Sequence, residues 1–120
     1  EFVYEDVSFG NTEVALDELH KNGIQAEMTI KNVGEYDGYA VPLVYIAGEQ
    51  GSVVRRAKEL KGFKKVWLKK GESKRVSILL PAEAFAVWNF EMEFKVEPGR
   101  VKLILEEMGQ TVGSETINLF

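Results

Sequence analysis

The sequence predicts an all-β domain, a two-sheet β-sandwich of about seven short strands with no disulfide. Three observations lead there. Short runs of alternating apolar and polar residues recur at near-regular spacing along the chain. Glycine-containing turns separate them, around Gly23, Gly34, Gly38, Gly71 and Gly99. The 120 residues, 45% hydrophobic and 28% charged, suit one domain with its own core, and there is no cysteine to staple it. The missing cysteines exclude disulfides, thiolate metal sites and a cysteine nucleophile, and with them a disulfide-bearing immunoglobulin domain.

Residues 2–9, rich in aromatic and β-branched side chains, are expected to open the sandwich as a strand. Residues 13–23 (EVALDELHKNG) read two ways. Val14, Ala15 and Leu19 suit a short helical stripe, but so short a helix is unstable alone. Asn22-Gly23 suits a hairpin turn or a helix C-terminus, and strand and turn are slightly favoured. Ile24, Ala26, Met28 and Ile30 alternate with Gln25, Glu27, Thr29 and Lys31, the period of a half-buried strand. Residues 32–38 (NVGEYDG) are a loop.

Residues 39–47 form an apolar run of buried-strand length, interrupted by Pro42. Proline has no N–H for a ladder, so an edge position or a bulge is expected there. After a polar connection over residues 48–57, Val66 and Leu68 face inward and Gly62 marks a bulge. Lys70-Gly71-Glu72 turns the chain into a strand with Val76, Ile78 and Leu80 on one side. Pro81 opens a single helical turn. Met92, Phe94 and Val96, then Val101, Leu103 and Leu105, mark two more strands across the turn at Glu97-Pro98-Gly99, and residues 115–120 the last.

The net charge of −4 conceals a basic block. Between Arg55 and Arg75 stand ten basic and two acidic residues, and the remaining chain carries five basic and seventeen acidic ones. Lys64, Lys65, Lys69 and Lys70 suit an edge strand that must not pair with another chain. The block also suits docking to an acidic neighbour. It carries no recognised nucleic-acid motif, so nucleic acid is not an expected partner. No apolar run approaches the roughly 20 residues that span a bilayer, so neither is a membrane. The chain opens on Glu1 rather than methionine, which suggests a piece or a processed product, and its composition fixes no compartment.

No catalytic constellation is legible, and no catalytic, cofactor-binding or metal-binding residue is assigned. His20 is the only histidine, expected to be an exposed turn residue, and one histidine builds no multi-histidine metal site. Glu91, Glu93 and Glu97 with Lys95 read as a charged outer strand face rather than a glycosidase pair. Glu35, Asp37 and Glu49 lack calcium-loop spacing. Tyr36, Tyr39, Trp67, Trp88 and Phe90 are candidates for a platform that stacks on sugar rings. In a small sandwich such rings more often fill the core or a domain interface.

One ordered set of residues goes further. Arg55, Lys58-Glu59-Leu60-Lys61-Gly62-Phe63, Val66, Leu68, Lys69, Gly71-Glu72-Ser73 and Val76 resemble one domain, the fibronectin type III-like C-terminal domain of family 3 glycoside hydrolases. Phe2 and Tyr4, Ile30-Lys31-Asn32-Val33-Gly34 with Gly38, Tyr45, Leu80-Pro81, Phe85 and Val96-Glu97-Pro98-Gly99 agree in order. The resemblance covers nearly the whole chain and is weakest over residues 11–23. Arg56 stands where proline is usual, Tyr39-Ala40 replaces an acidic pair, and the turn over residues 89–91 is short.

The resemblance implies a fibronectin type III/immunoglobulin-like sandwich over residues 1–120, the C-terminal part of a larger β-glucosidase-type hydrolase. The family's nucleophile and acid/base lie in two preceding domains, so no catalytic residue carries over. This chain is then a non-catalytic accessory domain, with the parent enzyme's catalytic domains as its partner and residues 48–57 with the basic block as the contact. The alternative is a free-standing module that binds carbohydrate or protein.

Overall fold

The computed structural model describes residues 1–48, 59–88, 94–96 and 98–120. The strands are β1 (Phe2–Ser8), β2 (Glu13–Val14), β3 (Ile24–Asn32), β4 (Gly38–Ala40), β5 (Leu43–Gly48), β6 (Glu59–Phe63), β7 (Val66–Leu68), β8 (Ser73–Leu80), β9 (Ala86–Trp88), β10 (Phe94–Val96), β11 (Gly99–Glu107) and β12 (Gln110–Leu119). A helix α1 (Leu16–Asn22) and a 3-10 turn (Ala82–Phe85) complete the described elements. One sheet has the order β1-β3-β8 and the other β2-β12-β11-β5-β6. Two ribbons, β4-β7 and β9-β10, stand beside them. The body is the expected sandwich: seven strands, β1, β3 and β8 facing β5, β6, β11 and β12. No described helix is long and apolar enough to cross a membrane.

Strand alternation builds the core. Ala26, Met28 and Ile30 of β3 and Val76, Ile78 and Leu80 of β8 turn inward from one sheet. Val44 and Ile46 of β5, Leu103 and Leu105 of β11, and Ile117 and Leu119 of β12 meet them from the other, in one continuous cluster. A single contiguous core of this kind is what lets a chain of this size fold without crosslinks.

The apolar run at residues 39–47 is two strands, not one. β4 pairs with β7, whereas β5 pairs with β11 and β6. The break falls at Val41-Pro42, where proline's missing N–H ends one ladder before the next begins. The bulge expected at Gly62 is present in β6. Val44 opposes Gly62 and Tyr45 opposes Leu60, so Lys61 is the extra residue, beside the glycine that the sequence singles out. A Cβ on Gly62 would come within 3.0 Å of Ile78 Cγ2 and Leu80 Cδ2, so the glycine lets β6 close over β8.

Residues 13–23 correct the favoured reading of strand and turn. Only Glu13 and Val14 are strand, paired parallel with Asn118 and Leu119, and the chain then winds into α1. Tertiary contacts supply what a seven-residue helix lacks alone. Leu19 is fully buried, and the Leu16 N–H donates to the Phe120 carbonyl at 2.7 Å. Gly23 caps the helix with φ +66° and its N–H on the Leu19 carbonyl. A Cβ there would stand 2.5 Å from the Leu80 carbonyl oxygen, so the position admits only glycine. Smaller differences follow the same logic. Pro81 caps the 3-10 turn instead of entering it. The last strand starts at Gln110, because Met108 (φ 49°) and Gly109 (φ 81°) make a two-residue turn that joins β11 directly to β12.

Asn32, 1% exposed, ends β3 and ties three peptides together. Its Nδ2 donates to the carbonyls of Tyr36 (2.9 Å) and Leu68 (3.1 Å), and its Oδ1 accepts from Gly34 N (3.0 Å). Its own N–H donates to Glu72 O at 2.9 Å, and its carbonyl accepts from Gly71 N at 3.0 Å. A second tie crosses between the sheets. Tyr4 of β1 donates its hydroxyl to Glu107 Oε1 (2.8 Å), while Oε2 accepts from Val41 N (3.2 Å). Burial, and then the hydrogen bond and charge of Glu107, push the Tyr4 phenol well above its ordinary value of 10.0.

Two predictions follow from these ties. Asn32→Ala strands the buried Leu68 carbonyl, the half-buried Tyr36 carbonyl and the Gly34 amide, and is expected to cost about 3 kcal/mol in urea unfolding; a loss under about 1 kcal/mol would contradict the role given to Asn32. Tyr4 keeps its proton in the folded state at a pH where the unfolded chain releases it. Stability is therefore expected to fall as pH rises above about 10, and to fall less steeply in Tyr4→Phe, as read from urea midpoints at pH 8 to 11.

Candidate aromatic and basic surface

The described part of the basic block, residues 59–75, lies along open sheet edges. β8 ends the three-stranded sheet and β6 the five-stranded one, with β7 on the narrow ribbon between. No backbone ladder joins β7 to β8, although one short turn connects them. Lysines cross the gap. Lys64 Nζ donates to the Ser77 carbonyl of β8 at 2.7 Å, and Lys74 Nζ donates to the Trp67 carbonyl of β7 at 2.9 Å. Arg75 Nη1 reaches the carbonyl of Asp6 (2.9 Å) and the hydroxyl of Thr29 (3.2 Å), and Nη2 lies 3.8 Å from Glu27. It thereby braces the β1 bulge, where Asp6 adopts φ 51°. These cations satisfy edge carbonyls at the positions where a neighbouring chain would otherwise add a strand.

The aromatics divide. Tyr39 of β4 and Trp67 of β7 are directly opposite in the ladder and point outward. They are 52% and 42% exposed, their ring centroids lie 4.9 Å apart, and their planes meet at 66°. Ala40, Val66 and Leu68 alternate with them into the core, which fixes the ribbon beneath the rings. Lys65 Nζ lies 4.2 Å from the centroid of the Tyr39 ring, a cation–π contact. Tyr36, 82% exposed, rides on the loop that Asn32 holds. These three rings are therefore not core. Trp88 lies on β9, and its side chain and Phe90 are outside the described residues.

The remaining candidates separate. Asp37 accepts from Lys70 N at 2.7 Å and Glu72 from Lys69 N at 2.8 Å, so both build the turn. Glu35 is exposed. His20 is exposed as expected, on α1 instead of in a turn, with Nδ1 2.8 Å from the Leu16 carbonyl; a carbonyl only accepts, so that nitrogen carries the proton. Glu49, Glu91, Glu93, Glu97, Arg55, Arg56 and Lys58 lie outside the described residues, as does the connection beyond Gly48. Among the described residues no group of three or more metal-ligating side chains converges. The outward Tyr39–Trp67 pairing and the Lys65 contact were missed in the sequence, because β4 and β7 meet only through their tertiary pairing. Alternation along each strand signals the outward face of each ring, but not the neighbour.

Comparison with known proteins places this surface in context. The family model of the fibronectin type III-like domain matches residues 40–107. A β-xylosidase of Formosa agariphila is 30% identical over 119 residues, covering 98% of this chain and 16% of that protein. The thermostable β-glucosidase B of Acetivibrio thermocellus is 34% identical over 105 residues, covering 87% of this chain and 13% of its own. The crystal structure of a Listeria innocua β-glucosidase superposes with a TM-score of 0.86 and 32% identity over 99% of this chain and 16% of that one. The chain thus spans between about one eighth and one sixth of the length of these relatives.

The lysine bridges carry their own prediction. Lys64→Ile with Lys74→Ile is expected to lower stability by about 1 kcal/mol and to promote self-association. Sedimentation velocity that finds the double variant as monomeric as the parent chain would count against edge protection.

Proposed function

Because the chain belongs to the fibronectin type III-like domains of family 3 glycoside hydrolases, we propose that it acts as a non-catalytic accessory module of such an enzyme. Residues 1–120 form one domain, C-terminal to a catalytic region that hydrolyses terminal β-glycosides, as in a β-glucosidase. The module packs on that region and stabilises it.

The share of the relatives that the chain accounts for carries this reading: it aligns almost end to end, yet matches only 13% of one hydrolase and 16% of another. Its side chains agree in character. Glu107, Asp37, Glu72 and Glu27 are engaged in backbone, tyrosine and arginine contacts that hold the sandwich. A glycosidase needs two carboxyl groups aimed at one scissile bond.

The test uses the separately produced catalytic region of a parent enzyme. Adding the 120-residue chain is expected to raise that region's melting temperature by several degrees, while the chain alone releases no nitrophenol from an aryl β-glucoside. Hydrolysis by the chain alone, or no effect on the catalytic region, would overturn the reading.

A further inference from the structure

We propose that Trp67, Tyr39 and Lys65 form a binding site for a neutral β-linked oligosaccharide on the outer face of the β4–β7 ribbon. Trp67 supplies the floor of the site, Tyr39 a wall inclined to it by 66°, and Lys65 a hydrogen-bond donor at the rim.

The chemistry of the ligand follows from that of the surface. One face of a β-linked pyranose presents axial C–H groups and is apolar, while its rim carries hydroxyls. The half-exposed indole of Trp67 matches the first, and an ammonium and a phenol hydroxyl match the second. Two rings set at an angle contact a ring and its neighbour along a saccharide chain whose successive units are rotated. The pair is also preorganised. Gly38, Tyr39 and Ala40 are hydrogen-bonded in register to Leu68, Trp67 and Val66, and the alternate residues are locked in the core. Lys74 anchors the Trp67 carbonyl from β8. Little backbone freedom remains to be lost on binding.

A protein partner fits the same surface less well. A stable protein interface buries roughly 800 Å² on each side, whereas this ribbon is three residues wide in each strand. A protein partner covering Tyr39 would also desolvate the ammonium of Lys65, which is costly without a facing carboxylate. A bound sugar leaves that ammonium wet at the edge and offers it hydroxyl acceptors. The choice of glycan probes rests on the accessory-domain reading; the site itself rests on the geometry of the ribbon.

The test is affinity electrophoresis of the 120-residue chain through native gels containing soluble β-1,3-glucan, soluble β-1,4-xylan or α-linked dextran. Retardation by at least one β-glycan and none by dextran is expected. Trp67→Ala is expected to reduce the retardation at least ten-fold and Tyr39→Ala several-fold. Both rings are about half exposed, so the melting temperatures of the variants should stay near the parent's; if Trp67→Ala fails to fold, Tyr39→Ala and Lys65→Ala decide the matter by the same readout. Free migration in every β-glycan gel would overturn the proposal, as would retardation unchanged by these substitutions. So would a lower melting temperature of the full-length glycosidase carrying Trp67→Ala with glycan retardation unaltered, since the rings would then be a domain interface. A chain that stabilises the catalytic region but ignores every glycan refutes this site and leaves the accessory role standing.

Discussion

Asn32 holds together three peptides that have no ladder in common. Its side chain satisfies the loop carbonyl of Tyr36, the end of β7 at Leu68 and the amide of Gly34, and its backbone clasps the turn at Gly71 and Glu72. Buried polar groups of this kind must be fully satisfied or they cost more than an apolar residue would. Here they are satisfied, so a set of separate backbone segments becomes one rigid end of the sandwich. The aromatic ribbon depends on it directly: β7 is held at Leu68, and the loop leading into β4 is held at Tyr36. An aspartate at this position could accept but not donate to the two carbonyls, which explains why an amide stands there.

The same economy governs the sheet edges. The chain leaves one sheet for another at Val41-Pro42 and again through the turn after β7; the first crossing leaves the Val41 amide without a ladder partner and the second leaves carbonyls. Glu107 answers the first by accepting from the Val41 amide, and Lys64 and Lys74 answer the second. The positive charge concentrated in residues 55–75 is thus partly structural: three of its members, Lys64, Lys74 and Arg75, each spend donors on backbone oxygen.

Most of the sandwich was legible because period-2 burial is written residue by residue. Ile24 to Ile30, Val76 to Leu80 and Val101 to Leu105 each showed the face they bury, and the glycine at the β6 bulge announced itself by interrupting a strand. What was not legible came from contacts between distant segments. The helix over Leu16 to Asn22 is too short for propensity to decide, and its stability is borrowed from Phe120 and the buried Leu19. The split at Pro42 was visible as a break, but not as a change of sheet, because only the partners distinguish the two. The aromatic surface failed for the same reason. Tyr39 and Trp67 were each recognisable, yet their pairing belongs to the β4–β7 register and not to either strand.

The tie between Tyr4 and Glu107 spans 103 positions of sequence, and the Leu16 amide waits for the Phe120 carbonyl. Both closures join the beginning of the chain to its end. Such non-local pairings must meet their loop-closure entropy before their contacts reward it, which places the domain among slow folders of high contact order. During synthesis, β1 and β3 can pair as soon as they emerge, but the cover over their buried face, begun by β5 and β6, is incomplete until β11 and β12 leave the ribosome. The nascent domain is therefore most vulnerable to aggregation just before its last strands arrive, when the lysine-guarded edges are the part of its surface already complete.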